Sequence, residues 1–474
     1  MHKTHILIIG AGPAGLACAH ELSAKGAHRY KADILEADEQ VGGLSKTADF
    51  DGYRYDLGSH RFFSKIKDVN DLWNHALKDN FIAVKRYSRI YYMNQFYDYP
   101  LRIRDVVYKL GLPESLIMGF SYLKMRLFPF KEEKNFSEWI SNRFGRRLYE
   151  TFFKTYTEKV WGMPCDQISA EWAAQRIRKL SLFSVIRNSI QGSDDRVKSL
   201  IREFRYPRYG SGMMYDSLRH GIETHPDFRV ITGSKVDRLT YRNGRWVAGI
   251  KGKNGRSAKA YDHVVSTMPL PELISCTDHT PEKIRTLAAR LRFRSLIVVC
   301  LVFSEPNIFK DTWIYLHDSS VKSNRLQVLN NWGPDMVAAS SHSSYGCEYI
   351  CSEGDYIWNM ADKELIGLAI NELKLIKIIP ERSNCIKANV LRARDAYPVY
   401  DGHYSNGIAS LRKTVRHMPN LQVAGRGGMF RYNNMDHSIY TGILAARNIV
   451  EGREQHDLWR VSQDNEYCEK KPDH

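Results

Sequence analysis

At 474 residues the chain is long for one core, and two domains are expected. Its 43% hydrophobic and 26% charged composition is that of a globular protein in water, and no apolar run approaches the roughly 18–20 residues of a membrane span. The formal net charge of +16 points to anionic partners; its dispersed basic residues, and the lack of a nucleic-acid fold signature, favour small anionic ligands over nucleic acid.

The first predicted strand, Ile6-Leu7-Ile8-Ile9, runs straight into Gly10-Ala11-Gly12-Pro13-Ala14-Gly15. Four consecutive apolar residues read as a buried parallel strand, and the GxGxxG spacing reads as the turn into a helix. Gly10 permits the tight turn, Gly12 lets backbone approach a pyrophosphate, and Gly15 lets the helix pack on the strand. The helix starts at Pro13-Ala14, which aims its first N–H groups and its dipole at the phosphates. A second strand, Ala32–Glu36, ends on a carboxylate placed to accept hydrogen bonds from an adenosine ribose. Gly42-Gly43-Leu44-Ser45 then offers a second close backbone approach to a pyrophosphate, which suits FAD rather than NAD alone. The loop Gly58-Ser59-His60-Arg61-Phe62-Phe63 is expected against the flavin ring, with His60 nearest the chemistry.

Residues 66–205 read as mainly helical, with helices over Val69–Ala76, Pro113–Phe128, Ser137–Tyr156 and Ala170–Leu180. Within them Tyr156-Thr157-Glu158-Lys159-Val160-Trp161-Gly162 mixes polar residues with a Trp. Trp161 suits stacking on a base, and Tyr156 and Lys159 suit phosphates, although composition alone favours core helix. After a turn at Tyr206–Met213 come a helix over Met214–Gly221, a strand over Phe228–Ile231 and a hairpin through Asn243-Gly244. This piece, with Val236 toward the cofactor, reads as the chain returning to the nucleotide-binding sheet. Residues 271–395 read as a mixed β substrate-side region. Leu421–Arg426 is strand and glycine turn, and Met435–Val450 a helix. Backbone around Gly425, Arg426, Asn434, Met435 and Asp436 is expected to hold the flavin or its pyrophosphate, with Arg431 and Tyr432 beside the ring. The polar tail, 456–474, is expected to fray. The fold class is thus α/β: an FAD-binding Rossmann-like two-dinucleotide domain (1–65, 206–270, 396–455) with inserted helical and β-sheet substrate domains. Eight scattered cysteines without CxxC suggest buried reduced thiols and no metal site. With no membrane-span run, and no signal-peptide pattern before the first strand, a cytoplasmic location is expected.

Residues 1–65, 150–180 and 420–450 together resemble the UDP-galactopyranose mutase-like branch of FAD-dependent flavoproteins, relatives of protoporphyrinogen oxidase and the amine oxidases. The run from Tyr156 to Trp161 is similar to the mutase motif YTxKxW, which implies that Trp161 lies in a uridine pocket. Gln175-Arg176-Ile177 resembles the segment bearing an Arg at the sugar diphosphate, and Leu291–Leu296 the strand bearing a second essential Arg, here Arg294. Arg426 and Tyr432 match a GR…Y pattern, and Gly58-Ser59-His60 a GxH loop near the flavin. Tyr397 and Tyr400 are candidates for phosphate-binding tyrosines.

The resemblance implies a nucleotide-sugar mutase of cell-surface polysaccharide biosynthesis. Non-covalently held FAD, active when reduced, would interconvert pyranose and furanose through an N5 adduct. Arg176 and Arg294 would meet the leaving diphosphate. Partners would be an anionic nucleotide sugar, an external reductant such as NAD(P)H, and a second copy in a homodimer. The alternative is an FAD oxidoreductase of amine oxidase, protoporphyrinogen oxidase or desaturase type, using hydride transfer to the flavin.

Overall fold

The computed structural model describes residues 3–170, 172, 203–253, 255–452 and 455–461. Arg176 and most of the Ala170–Leu180 helix lie outside the described residues.

The apolar run Thr4–Ile9 is the middle strand of a five-stranded parallel sheet. Leu421–Val423 and His263–Ser266 lie on one side, and Tyr30–Leu35 and Phe228–Ile231 on the other. A parallel sheet is buried on both faces, which is why its strands read as near-continuous apolar runs. The first helix, Pro13–Gly26, and the last, Met435–Glu451, lie against each other. A Cβ on Gly442 would come within 2.0 Å of the Ala14 carbonyl oxygen, so their crossing depends on that glycine.

Only part of the 206–270 piece rejoins this sheet. Lys235–Arg242, Arg245–Gly252 and Gly255–Tyr261 form a separate antiparallel sheet. Its first turn is Asn243-Gly244, with positive φ at both residues (49° and 78°), the geometry that an Asn-Gly hairpin favours.

A seven-stranded sheet forms the second unit, in the order Cys385–Pro398, Phe293–Phe303, Ser343–Cys351, Arg325–Val328, Trp313–Leu316, Ser88–Tyr92, Gln95–Asp98. The Phe293–Phe303 strand is buried on both faces. Ile297, Val299, Leu301 and Phe303 enter one core, while Leu296, Val298, Cys300 and Val302 enter another. The Ser88–Asp98 hairpin adds two strands within 66–205, where helix was expected to predominate. Its Ile90-Tyr91-Tyr92 run has the β-branched and aromatic character of strand, and Met93 and Asn94 turn it with positive φ. The start of the tail does not fray either. Asp457 accepts the Trp459 N–H, Leu458 and Trp459 are buried, and the Arg412 guanidinium lies 5.1 Å from the Trp459 ring.

Candidate active site

The glycine turn and its sheet edge open onto a cleft of about 840 Å³. Gly10 has φ +96°, and a Cβ there would meet Thr267 Oγ1 at 2.2 Å. A Cβ on Gly15 would sit 1.9 Å from the Gly10 carbonyl oxygen, so the helix can pack on its strand only with glycine there. Gly12 and Gly43 face each other: a Cβ on Gly43 would lie 3.3 Å from Gly12 Cα. The two glycine turns therefore border the cleft with bare backbone. Glu36 takes the Ala11 N–H at 2.7 Å and the Asp38 N–H at 2.9 Å, and burial raises its pKa above the usual carboxylate value.

Gly10, Gly12, Ala14, Glu36, Gly43, Leu44, Ser45, Val236, Gly425, Arg426 and Met435 all line this cleft. Gly15 instead supports it from behind. The donor set fits FAD: two glycine turns and a helix start for the pyrophosphate, and the Glu36 carboxylate for the ribose. Two polar atoms in its wall, His60 Nδ1 and Asn433 Oδ1, are buried without a partner among the described residues, as a ligand-facing edge requires.

His60, Arg426 and Met435 also line a second, smaller chamber of about 280 Å³. Its wall carries Arg61, Arg325 and Arg426, and the rings of Trp313, Tyr315, Tyr397 and Tyr432. Arg325 projects from the large sheet. Its Nε and Nη2 donate to Glu348 on the neighbouring strand at 2.9 and 2.7 Å, and Gln327 Nε2 donates to the same carboxylate at 2.8 Å. That pairing outweighs the burial of the guanidinium and raises its pKa. Arg426 donates to the carbonyls of Asn433 (2.9 Å) and Ala396 (3.0 Å) and lies 4.8 Å from the Tyr432 ring and 5.6 Å from Tyr397. The two tyrosines stack at 5.6 Å. Burial, then Arg426 and Arg325, pull the His60 pKa down to about 3, which keeps the imidazole neutral. Asn434 and Asp436 complete the wall at the start of the last helix, and Asp436 Oδ2 accepts from Ser64 at 3.2 Å.

The structure places other expected site residues elsewhere. Arg294 is buried, and its guanidinium donates to Val160 O (3.1 Å), Ile350 O (2.9 Å) and Ser352 Oγ (2.5 Å), pinning the end of the Thr155–Trp161 helix to the large sheet. Lys159 donates to the carbonyls of Leu316 and Asp318, and burial lowers its pKa to about 8. Trp161 is buried, with its ring 5.0 Å from Trp172 and 6.4 Å from Tyr432. Tyr156 stacks on His317 at 4.5 Å, behind Tyr315. Tyr400 is buried and accepts the Tyr432 N–H at 2.8 Å. Arg431 points away from the chamber and donates to the Trp459 carbonyl at 2.6 Å. None of these six lines the cleft or the chamber.

Arg61 belongs to the loop expected at the flavin, and the chamber residues that sequence reasoning missed are Arg325, Trp313 and Tyr315. One signal for Arg325 was available. It sits in Arg325-Leu326-Gln327-Val328, a short strand pattern, and a second strand segment carries Glu348 in Cys347-Glu348-Tyr349. A lone charge in each of two such strands invites pairing across a sheet.

A family model described as flavin containing amine oxidoreductase matches residues 13–450. Among curated proteins, the polyamine oxidase 1 of Oryza sativa subsp. japonica is 39% identical over 12% of this chain, a match that spans only 11% of that protein. The protoporphyrinogen oxidase 2 of Arabidopsis thaliana is 20% identical over 94% of this chain and 93% of its own. Among solved structures, a reduced UDP-galactopyranose mutase superposes with a TM-score of 0.84 at 21% identity, covering 98% of this chain and 97% of that one.

Proposed function

This chain belongs to the family of flavin containing amine oxidoreductases, and from that premise we propose that it is an FAD-dependent mutase that rearranges a diphosphate-linked sugar between pyranose and furanose rings. The observation that carries this reading is the trio Arg61, Arg325 and Arg426 around one small chamber beside the dinucleotide cleft. Guanidinium groups stay charged and take phosphate oxygens in pairs. A cationic amine would meet like charge there, and an apolar polyene would strip water from three arginines without replacing it.

The Gly10–Gly15 and Gly42–Ser45 turns and Gly425–Met435 would hold FAD, which in its reduced form would supply an electron-rich ring able to react at the anomeric carbon. The protein's own groups do the rest. Arg325, fixed by Glu348 and Gln327, stands where a leaving diphosphate gathers charge. Tyr397 and Tyr432 hold the Arg426 guanidinium and offer hydroxyls to the sugar. His60 stays neutral and adds no fourth charge. The superposition on a reduced UDP-galactopyranose mutase supports the same fold for both chains.

A second reading has its own observation. Arg294 and Trp161, which the mutase resemblance gives to diphosphate and uridine, and Lys159, whose residue type suits phosphate, are engaged inside the protein. That favours an oxidoreductase acting on some other anionic substrate. One experiment separates the two: the flavin-loaded protein is reduced with dithionite and incubated with UDP- and dTDP-pyranoses. A new furanose peak on chromatography, lost in Arg325→Met with the flavin retained, supports the mutase. No furanose from any donor, with peroxide released in air from a carboxylated substrate, replaces it with the oxidoreductase.

A further inference from the structure

We propose that the outer face of the Leu112–Leu127 helix seats the protein flat on an anionic lipid bilayer. The inner face of this helix is firmly held. Met118 and Met125 are buried, Arg147 N–H donates to Ser121 Oγ at 3.0 Å, and Arg147 pairs with Glu114 at 2.5 Å. Gly145, at φ +84°, packs so tightly that a Cβ would meet the Tyr122 backbone at 2.8 Å.

The outer face is apolar and open to solvent. Leu112, Leu116, Phe120, Leu123 and Leu127 are each more than half exposed. At about 100° per residue these five fall within an arc of about 80°, on the side away from the two buried methionines. Phe128, the next residue along the chain, is 74% exposed and continues the stripe. Soluble surfaces rarely leave so much contiguous apolar side chain uncovered.

The charge around the stripe names the occupant. Lys124 and Arg126 fall on either side of the apolar arc. Arg104 and Lys131 lie beyond its ends. None of these four has an ion-pair partner among the described residues, whereas Asp105, Glu114, Glu132 and Glu133 are all paired within the protein. An apolar stripe between unpaired cations is the pattern of a helix lying in a lipid interface, its apolar side in the acyl boundary and its cations among anionic headgroups. A second copy would bring the same cations and another net +16 to the contact. Spanning is excluded for this helix: sixteen residues reach about 24 Å against a hydrocarbon core of about 30 Å. Among the described residues no helix is long and apolar enough to cross a membrane.

Co-sedimentation of the flavin-loaded full chain with vesicles tests this. Phosphatidylcholine vesicles containing phosphatidylglycerol should pellet the protein at least about tenfold more strongly than phosphatidylcholine alone, and added salt should weaken the effect. Phe120→Ser with Leu123→Ser and Leu127→Ser should abolish pelleting while flavin absorbance and melting temperature stay unchanged. Lys124→Glu with Arg126→Glu should remove the preference for the anionic lipid. Failure to pellet with either vesicle, or undiminished pelleting of the triple serine variant, overturns the proposal. So does a dimer in light scattering that the serine variant converts to monomer without any vesicle binding, which would assign the stripe to a second copy.

Discussion

The dinucleotide cleft and the arginine chamber share His60, Arg426 and Met435 in their walls, yet they are built in opposite ways. The glycine turns of the cleft work by missing side chains: Gly10, Gly12 and Gly43 leave backbone where a ligand can approach, and Gly15 lets the helix behind them close on its strand. The chamber is made of side chains, contributed by the Gly58–Phe63 loop, the strands bearing Trp313 and Arg325, the strand end at Tyr397, and the Arg426–Asp436 run. A backbone site is written in contiguous sequence. A side-chain site is written only in the tertiary packing that brings five segments together.

The sharpest way to break the cleft is Gly15→Ala. The new Cβ would start 1.9 Å from a carbonyl oxygen, so the first helix must leave its strand. The expected outcome is a colourless protein that takes up no FAD, read by absorbance after incubation with excess cofactor. A yellow variant of normal melting temperature would show that the Gly10–Gly15 turn does not set the cleft.

The chamber should break differently, through an abandoned charge. Arg325→Ala leaves Glu348 buried and unpaired, and should cost about 3–5 kcal/mol in urea unfolding. Turnover should fall more than about a hundredfold, with FAD retained. Arg325→Met with Glu348→Leu removes both charges and should restore most of the stability but none of the turnover. Recovery of turnover in that double variant would remove Arg325 from the chemistry.

These two cases show how much could be read in advance. The parallel sheet, the GxGxxG turn and the Gly425–Asp436 run were legible because local spacing dictates their geometry. Glu36 was legible too, because the residue that ends the second strand must face the turn. The chamber was not. Arg325 and Glu348 lie 23 residues apart, and only the antiparallel register between their strands makes them partners. Arg294 illustrates the converse. A strand bearing it was expected over Leu291–Leu296 and is found over Phe293–Phe303, but which way its side chain faces depends on the helix packed beside it.

Arg294→Ala therefore distinguishes a wall of the fold from a wall of the site. It removes donors from the carbonyls of Val160 and Ile350, so about 2–3 kcal/mol of stability should be lost. Turnover per bound flavin should stay within about twofold of the parent. A loss like that of Arg325→Ala would return Arg294 to the chamber.

The mildest test uses acid, and it turns on an imidazole packed behind the chamber rather than in its wall. His317 is buried beneath the Tyr156 ring, and burial, with a smaller push from Lys159, holds its pKa down to about 3. Its folded pKa lies below the unfolded value of about 6.5. The unfolded chain therefore takes up a proton that the folded chain refuses. Stability is complete above about pH 6.5 and falls on acidification by about 1.4 kcal/mol per pH unit, or roughly 2 kcal/mol by pH 5. Asp56 acts in the opposite sense. Burial raises it to about 6, so below that pH the folded chain binds a proton first and regains part of the loss. Replacing the imidazole by His317→Phe keeps a ring against Tyr156 and removes the titration. Urea unfolding at pH 7 and pH 5 should then show an acid loss about 2 kcal/mol smaller than in the parent. An identical acid loss in the two proteins would remove His317 from the acid response and leave it to the other imidazoles that burial holds down, His20, His263 and His60 on the shared wall.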